Sequence, residues 1–376
     1  HDPAAGASSV DALLDSLARA RGCSTDEEVQ RFLNGSEDLH NPLDRLTAIE
    51  RAVDRVLLAI RNGENITIFG DYDCDGVTSS AQCINLLRAA RHSKYRVYIP
   101  DRFIEDYGLT MDAVTSCIDS QNPKLIIAVD CGSTSFDALR FLRERGIDVI
   151  VLDHHQVEDC DEHPAFAHLN PKGDPRLASD PVLQDAVRMS AAGLAFFFCW
   201  KVAERGGFPW DLDANLILAG FGTYADVMPM VGINRELVRR ALMHANSHTI
   251  NRVPGLVELL KANNYTKAIT EHTFGFILGP CFNAAGRLTH AKASLSLACA
   301  ITNEKAKELA VELLAQNNER KRIQESILAE ATAQASAIMS AAPETKVLIL
   351  YGRDWHTGVI GIVAGRIRER FHRPTI

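Results

Sequence analysis

The chain has 376 residues, 46% of them hydrophobic and 23% charged, with a formal net charge of −8. That length can bury a substantial core and suggests two or three domains, while the charge excludes a surface that is basic all over and still allows a local basic groove. Nine cysteines without a C-x-x-C pair read as free thiols in a reducing, cytoplasmic compartment, without structural zinc.

In chain order, residues 1–9 lack the basic and apolar regions of a signal peptide and read as a loose terminus. Residues 10–35 read as polar helix. "LNGSEDLHNP" breaks that pattern before a second helix over Leu43–Gly63. From Ile66 strands and helices alternate. The expected strands are Ile66–Phe69, Tyr95–Ile99, Leu125–Val129 and Val149–Leu152, separated by helices at Thr78–Ala90, Met111–Ser120 and Phe136–Arg145. Such alternation implies an α/β fold: a parallel sheet with helices on both faces.

The longest apolar run, Ala191–Trp200, is half of the roughly 20 residues a membrane span needs and reads as a buried helix, so no membrane association is expected. Leu216–Val238 is an apolar helix running into Asp226 and a proline turn, and "LGPCFNAAGRL" (Leu278–Leu288) reads as a Gly- and Asn-rich loop. Asn303–Ser340 reads as one long helix, able to join two lobes. A strand over Lys346–Gly352 then opens a smaller domain whose remainder is missing at Ile376. The expected divisions are an N-terminal helical segment (1–45), a sheet domain (46–240), a helical region with the long helix (241–343) and the start of a second domain (344–376).

The chemistry concentrates at the ends of the strands. In "ITIFGDYDCDGVTSS" (Ile66–Ser80), Asp71, Asp73 and Asp75 alternate, and alternate residues of an extended chain face one side. Carboxylates that close repel unless they are solvated, protonated or joined by a cation. The run matches the first half of a calcium loop, but the twelfth position is Gln82, not Glu, and the preceding segment reads as a strand, not a helix. "VDCG" (Val129–Gly132) ends the third strand and "LDHH" (Leu152–His155) the fourth. The carboxyl edge of a parallel sheet is where ligands bind, so Asp73, Asp75, Asp130, Asp153, His154 and His155 are expected to meet there. Oxygen and imidazole ligands without thiolate suit manganese, magnesium or catalytic zinc. Their number suggests two divalent ions, which together activate a water and clamp the oxygens of an in-line phosphoryl displacement. Asp71 could instead cap the following helix, and Asp153 could orient a ligating histidine.

"DYDCDG", "VDCG", "DHH" and "ADVMP" resemble the successive motifs of the DHH phosphoesterase superfamily. "IPDRFIEDYGL", "GPCFNAAGRL", "NNERKRIQ" and "WHTGVIGIVAGRIRERFHRP" resemble, within it, the RecJ family of single-strand-specific 5′→3′ DNA exonucleases, and the likeness runs from about Leu33 to the last residue. The resemblance implies a DHH domain and a DHH-associated domain flanking a cleft, joined by the long helix. It also implies two manganese or magnesium ions, single-stranded DNA as substrate, a role in repair and recombination, and a single-strand-binding protein as a possible partner. Matched motif by motif, Asp73, Asp75, Asp130, His154 and Asp226 would ligate metal. His155 would contact the scissile phosphate and assist the leaving oxygen, with Asp153 and Asp71 completing the catalytic group.

Arg102, Tyr107, Asn283, Arg287 and His356 would line the strand's path, the arginines by charge-assisted phosphate contacts, Tyr107 by base stacking and His356 at a glycine-rich turn entering a helix. Cys281 stands where the family usually carries Arg, and a thiol cannot grip a phosphate as a guanidinium does. Two other readings fit less of the pattern: a small-substrate DHH phosphodiesterase acting on oligoribonucleotides, cyclic dinucleotides or nucleotide phosphates, and a catalytically inactive scaffold.

Overall fold

The computed structural model describes residues 3–376 apart from 37 and 159–161. The N-terminal segment is two helices, α1 (Pro3–Ala20) and α2 (Asp26–Asn34), so helix already covers most of the segment expected to be loose. Thr25 and Glu28 start α2 by satisfying each other's backbone amides in a capping box. The helix expected from Leu43 begins later, as α3 (Ile49–Asn62). Asn41 caps a separate 3-10 turn over Pro42–Arg45, and the extended conformation of Leu46 interrupts the helical path.

Five parallel strands follow: β1 (Ile66–Gly70), β2 (Tyr95–Tyr98), β3 (Leu125–Val129), β4 (Asp148–Leu152) and β5 (Ala167–Leu169), in the spatial order β2-β1-β3-β4-β5. The helices α4 (Cys74–Ala89), α5 (Met111–Gln121) and α6 (Phe136–Glu144) make the crossovers. β3 shows how the two faces are sealed. Leu125, Ile127 and Val129 enter the large core with α3 and α4, whereas Ile126 and Ala128 enter a smaller core with Val114 of α5 and Leu139 of α6. Strand order reverses between β1 and β3, so the crevice at their carboxyl ends is the switch point of the sheet. β5 was not foreseen, because three residues carry no periodic signal.

The large core continues through α7 (Pro181–Ala186), α8 (Ala191–Gly206), α9 (Leu212–Ala225), α10 (Gly232–Ala245) and α11 (Pro254–Ala262). The apolar run Ala191–Trp200 is the front of α8, with Phe196, Phe197 and Phe198 fully buried. The expected loop at Leu278–Leu288 is helical: a π-helical turn, Thr273–Leu278, runs into α12 (Gly279–Leu288). Pro280 sits in the first turn, where its missing N–H costs nothing, and Cys281, Phe282, Ala284 and Ala285 are buried.

After α13 (Lys292–Ala298) comes α14 (Asn303–Ala341), 39 residues and so about 58 Å long. Its first half packs Ala306, Leu309 and Leu313 into the large core. Its second half packs Ile327, Ala331 and Ala335 against Val359, Val363 and Ile367 of α15 (Thr357–Phe371), which form a separate core with Leu348. Where a strand was expected at Lys346–Gly352, the described residues form one parallel bridge, Leu348 to Thr375, with backbone bonds from Leu348 to Pro374 and from Leu350 to Ile376.

The two cores meet where α15 begins. A Cβ added at Gly358 would lie 2.1 Å from the Arg287 carbonyl oxygen of α12, so only glycine allows this approach. Gly358→Ala should therefore cost about 1–3 kcal/mol by overpacking, read as a lower denaturant midpoint with an unchanged m-value. An unaltered midpoint would show that α12 and α15 are not in contact here.

Candidate metal centre

The strand ends deliver their acidic groups into the switch-point crevice. Asp71, Asp75 and Asp130 are buried, at 3%, 1% and 2% exposure. Asp71 was expected as a possible helix cap, but Asp73 takes that role, accepting hydrogen bonds from the amides of Asp75 (2.9 Å) and Gly76 (3.1 Å) at the start of α4. Asp71 keeps one carboxylate oxygen, Oδ1, without a donor among the described residues, and Gly76 lies against its backbone, where an added Cβ would come within 2.8 Å. Asp75 accepts from the amides of Ala191 (2.8 Å) and Ala192 (2.9 Å) at the positive end of α8. Asp226 follows α9 and reaches the same point from the far side of the core.

Two positions at the site are held in left-handed backbone: Asp130 at φ +62°, and Val227, next to Asp226, at φ +59°. Strain of that kind in a branched, 87% exposed valine is tolerated where the surrounding structure dictates it, commonly at functional sites.

His154 Nε2 lies 3.2 Å from Asp130 Oδ1, 3.5 Å from Asp226 Oδ2 and 3.7 Å from Asp75 Oδ2. Burial, and then His155, lower its pKa to about 4, so a neutral imidazole nitrogen faces three carboxyl groups. Three groups can each offer ligand atoms within 4.8 Å of one another: Asp75, His154 and Asp226; Asp71, Asp73 and Asp130; Asp130, His154 and His155. They share Asp130 and His154, which suits two neighbouring ions with a common carboxylate. Among the described residues, Asp71 Oδ1, Asp130 Oδ1 and Asp226 Oδ2 are buried without a hydrogen-bond donor, so the donor set fits divalent cations. Asp71 thus joins the candidate ligands.

Asp153 plays a different part. Its Oδ1 accepts from the amides of His154 (2.7 Å) and His155 (3.2 Å) and from His155 Nδ1 (2.7 Å), while Oδ2 accepts from the Ser133 amide (2.9 Å). Burial alone would raise its pKa, but the bonds from His155 and Ser133 outweigh it and hold the group well below the usual carboxylate range. In return, the Asp153 hydrogen bond raises the pKa of His155 against the effect of burial. His155 Nε2 is left to face the cleft. The segment after β5 clamps this turn: Asn170 Nδ2 donates to the His155 carbonyl and to Ser133 Oγ, both 2.9 Å, and Lys172 Nζ donates to the His154 carbonyl. Asn170, Lys172 and Ser133 were not foreseen, since a lone Asn-Pro after so short a strand has no distinctive pattern.

Beyond the acids lies a cavity of about 160 Å³ lined by Asn283, Arg287, Arg320 and Ile362. Burial, and then Arg102, lower the pKa of Arg287; burial, and then Arg287, lower that of Arg320. Arg287 bonds the Gly358 carbonyl at 3.3 Å and Arg320 bonds the Asn317 and Gln324 side chains, so neither charge is spent on a carboxylate. Arg102 stacks over Tyr72 at 4.6 Å. The sequence assigns Arg320, in "NNERKRIQ", no role of its own, because nothing in it shows which side of a long helix meets the cleft.

The structure adds contacts at other expected positions. Asn283 Oδ1 accepts the Cys74 amide at 2.7 Å, so it braces the acidic loop while lining the cavity. His356 caps α15 itself, its Nδ1 accepting from Gly358 at 3.1 Å, and so occupies an amide expected to be open to a phosphate. Tyr107 is tied to Asp130 and His155 through its hydroxyl. Cys281 is fully buried, its Sγ meeting the Ile277 carbonyl and Asn317, both at 3.3 Å. It therefore faces α14, and guanidinium groups line the cavity without it.

The acids give the centre a pH signature. Burial, and then Asp73, raise Asp226 to about 7; burial and neighbouring acids also raise Asp71, Asp75 and Asp130. Folded-state values above the unfolded ones mean that the folded protein binds more protons, so its stability falls as pH rises through that window. With EDTA, the melting temperature should fall between pH 5 and pH 8. Manganese should raise it more at pH 8, where protons compete less. A flat profile with EDTA would show that these carboxylates ionise normally.

Residues 65–221 match the DHH family, N-terminal domain. The chain is 34% identical to the "Single-stranded-DNA-specific exonuclease RecJ" of Haemophilus influenzae over 97% of its own length and 63% of the relative's. It is 35% identical to the protein of that name from Thermus thermophilus, over 92% of its own length and 48% of the relative's. It thus spans less than two thirds of either relative. A crystal structure of exonuclease RecJ bound to manganese superposes with a TM-score of 0.76 at 33% identity, covering 90% of this chain and 81% of that one. RecJ from Thermus thermophilus in complex with Mn2+ superposes with a TM-score of 0.75 at 31% identity, over 96% and 49%. With the motif order, the parallel sheet and the acidic centre in agreement with these matches, the chain belongs to the DHH phosphoesterase family, on its RecJ branch.

Proposed function

We propose that this chain carries the catalytic core of a divalent-metal-dependent exonuclease that removes mononucleotides from single-stranded DNA in the 5′→3′ direction, in DNA repair and recombination. The observation that carries this reading is the adjacency of two opposite charge clusters: buried acidic triads with orphaned carboxylate oxygens, and a cavity lined by arginines whose charges meet no carboxylate. The first suits cations and the second suits phosphates. The RecJ structures that superpose on the chain were solved with Mn2+ or Mg2+, and those are the ions proposed here.

Asp73, Asp75, Asp130, His154 and Asp226 would hold two ions, with Asp71 beside them. When bound, such ions polarise a phosphate and make water nucleophilic at neutral pH. The chain's own groups do the rest. Arg102, Arg287 and Arg320 hold the phosphates of the strand by charge-assisted bonds. Asp153 keeps His155 in one orientation and favours its protonated form, which suits His155 to pass a proton to the leaving 3′ oxygen as the P–O bond breaks. A cytoplasmic location and a single-strand-binding partner extend the same reading. Among the described residues no helix is long and apolar enough to cross a membrane.

The test is product analysis of 5′-labelled single-stranded DNA, with duplex and RNA controls, in manganese, magnesium and EDTA. Mononucleotides from single-stranded DNA alone, and only with metal, are expected; turnover of dinucleotides without attack on long DNA would favour the small-substrate alternative. Asp130→Ala should abolish cleavage while leaving the far-ultraviolet circular dichroism unchanged, and full activity would remove Asp130 from the site. Arg320→Ala should raise KM for DNA about 10–100-fold, the loss expected of one hydrogen bond to a charged group, with a smaller change in kcat.

A further inference from the structure

Tyr107 comes from the connection between β2 and α5, outside the strand ends that carry the acids. Both of its neighbours are left-handed, Asp106 at φ +63° and Gly108 at φ +80°. That turn brings the phenol inward, edge-on to Tyr72 and His155 with ring centroids 6.2 and 5.8 Å away. The hydroxyl oxygen lies 2.9 Å from the Asp130 carbonyl oxygen, 3.2 Å from His155 Nε2 and 3.4 Å from His155 Nδ1.

The bonding pattern assigns each partner. A phenol carries one proton, and the carbonyl of Asp130 can only accept, so the O–H donates there. The phenol oxygen lies almost equally far from the two ring nitrogens of His155, so it rests against the imidazole and out of line with Nε2–H. Nδ1 is committed to Asp153 at 2.7 Å, which leaves Nε2 for an incoming substrate. Asp130 gains as much. Its left-handed backbone is unfavourable for a residue with a Cβ, and both sides of it are fastened from a distance: its amide donates to the Leu152 carbonyl at 2.9 Å and its carbonyl accepts from Tyr107. One hydroxyl therefore spans the turn after β3, where Asp130 aims its carboxylate, and the turn after β4, where His155 aims its free nitrogen.

We propose that the Tyr107 hydroxyl is a positioning group: it locks the Asp130 and His155 turns into one arrangement and sets the direction of His155 Nε2 toward the reacting phosphate. The inference rests on the phosphodiesterase reading of the site. It differs from the base-stacking role expected from the sequence, which would use the face of the ring and have no need of the oxygen.

Tyr107→Phe keeps the ring and removes the oxygen, and Tyr107→Leu removes both. Tyr107→Phe should lower kcat about 10–100-fold, as loss of an outer hydrogen-bond partner does, both on single-stranded DNA and on methyl p-nitrophenyl phosphate, which has no nucleobase. KM for DNA should change less than about threefold. In the metal-free protein the same variant should speed hydrogen exchange at the Asp130 amide and shift the His155 ring signals in nitrogen-15 spectra, with a melting temperature near that of the unaltered chain.

Wild-type kcat and unchanged exchange in Tyr107→Phe, with a raised KM for DNA in Tyr107→Leu, would overturn the proposal in favour of stacking. Should the unaltered chain hydrolyse the small diester and leave DNA intact, the nuclease reading fails, and the diester kinetics and the exchange data still decide the role of Tyr107. Unchanged exchange and ring signals in a folded Tyr107→Phe protein would overturn it by themselves.

Discussion

The structure depends on a repulsion it must contain. Asp71, Asp73, Asp75, Asp130, Asp153 and Asp226 crowd one crevice, and most are out of contact with water. Carboxylates so placed must bind cations, take up protons or be satisfied by fixed dipoles. The fold uses the third device wherever it can: Asp73 on the start of α4, Asp75 on the start of α8, and Asp153 on three amides and an imidazole. What remains unsatisfied is directional. The orphaned oxygens of Asp71, Asp130 and Asp226 and the bare nitrogen of His154 are the groups a pair of divalent ions would take.

Much of the remaining architecture serves to hold that arrangement. Glycines admit backbone where a side chain would force the loops apart: Gly76 beneath Asp71, Gly286 against the Tyr72 carbonyl and Gly358 against the Arg287 carbonyl. The left-handed turns at Asp130 and Val227 store strain that the neighbouring packing and hydrogen bonds must oppose. Asn170 and Lys172 grip the carbonyls of the two histidines from behind. Such a shell would fix the candidate ligands before any ion arrived, which limits the reorganisation that binding requires.

Opposite charges then face each other across the cleft. Arg287 and Arg320 are half-buried on α12 and α14 without a carboxylate between them, a costly placement unless an anion visits. Both helices belong to the large core, yet α14 also carries the second core built with α15. The long helix therefore fixes the distance between the acidic edge of the sheet and the lobe that carries His356. The T-shaped contact of Phe103 with His356, 5.8 Å between ring centroids, shows the two sides already touching.

The sequence by itself determined the parallel sheet, the site's place at its carboxyl edge and nearly all of the acidic residues. These follow from continuous apolar runs in the strands, buried on both faces, and from motifs confined to a few consecutive residues, which local physics can read. It misjudged elements whose character comes from distant partners. The Gly- and Asn-rich stretch at Leu278–Leu288 is helical because Phe282 and Ala285 are buried against other helices, and Lys346–Gly352 forms, among the described residues, a single bridge from Leu348 to Thr375. Only the tertiary structure decided that Cys281 faces the core, that Arg320 faces the cavity, and that the Tyr107 hydroxyl spans two turns. Each depends on atoms tens of residues apart in the chain, and on the direction of a single bond, which no local pattern of residue types encodes.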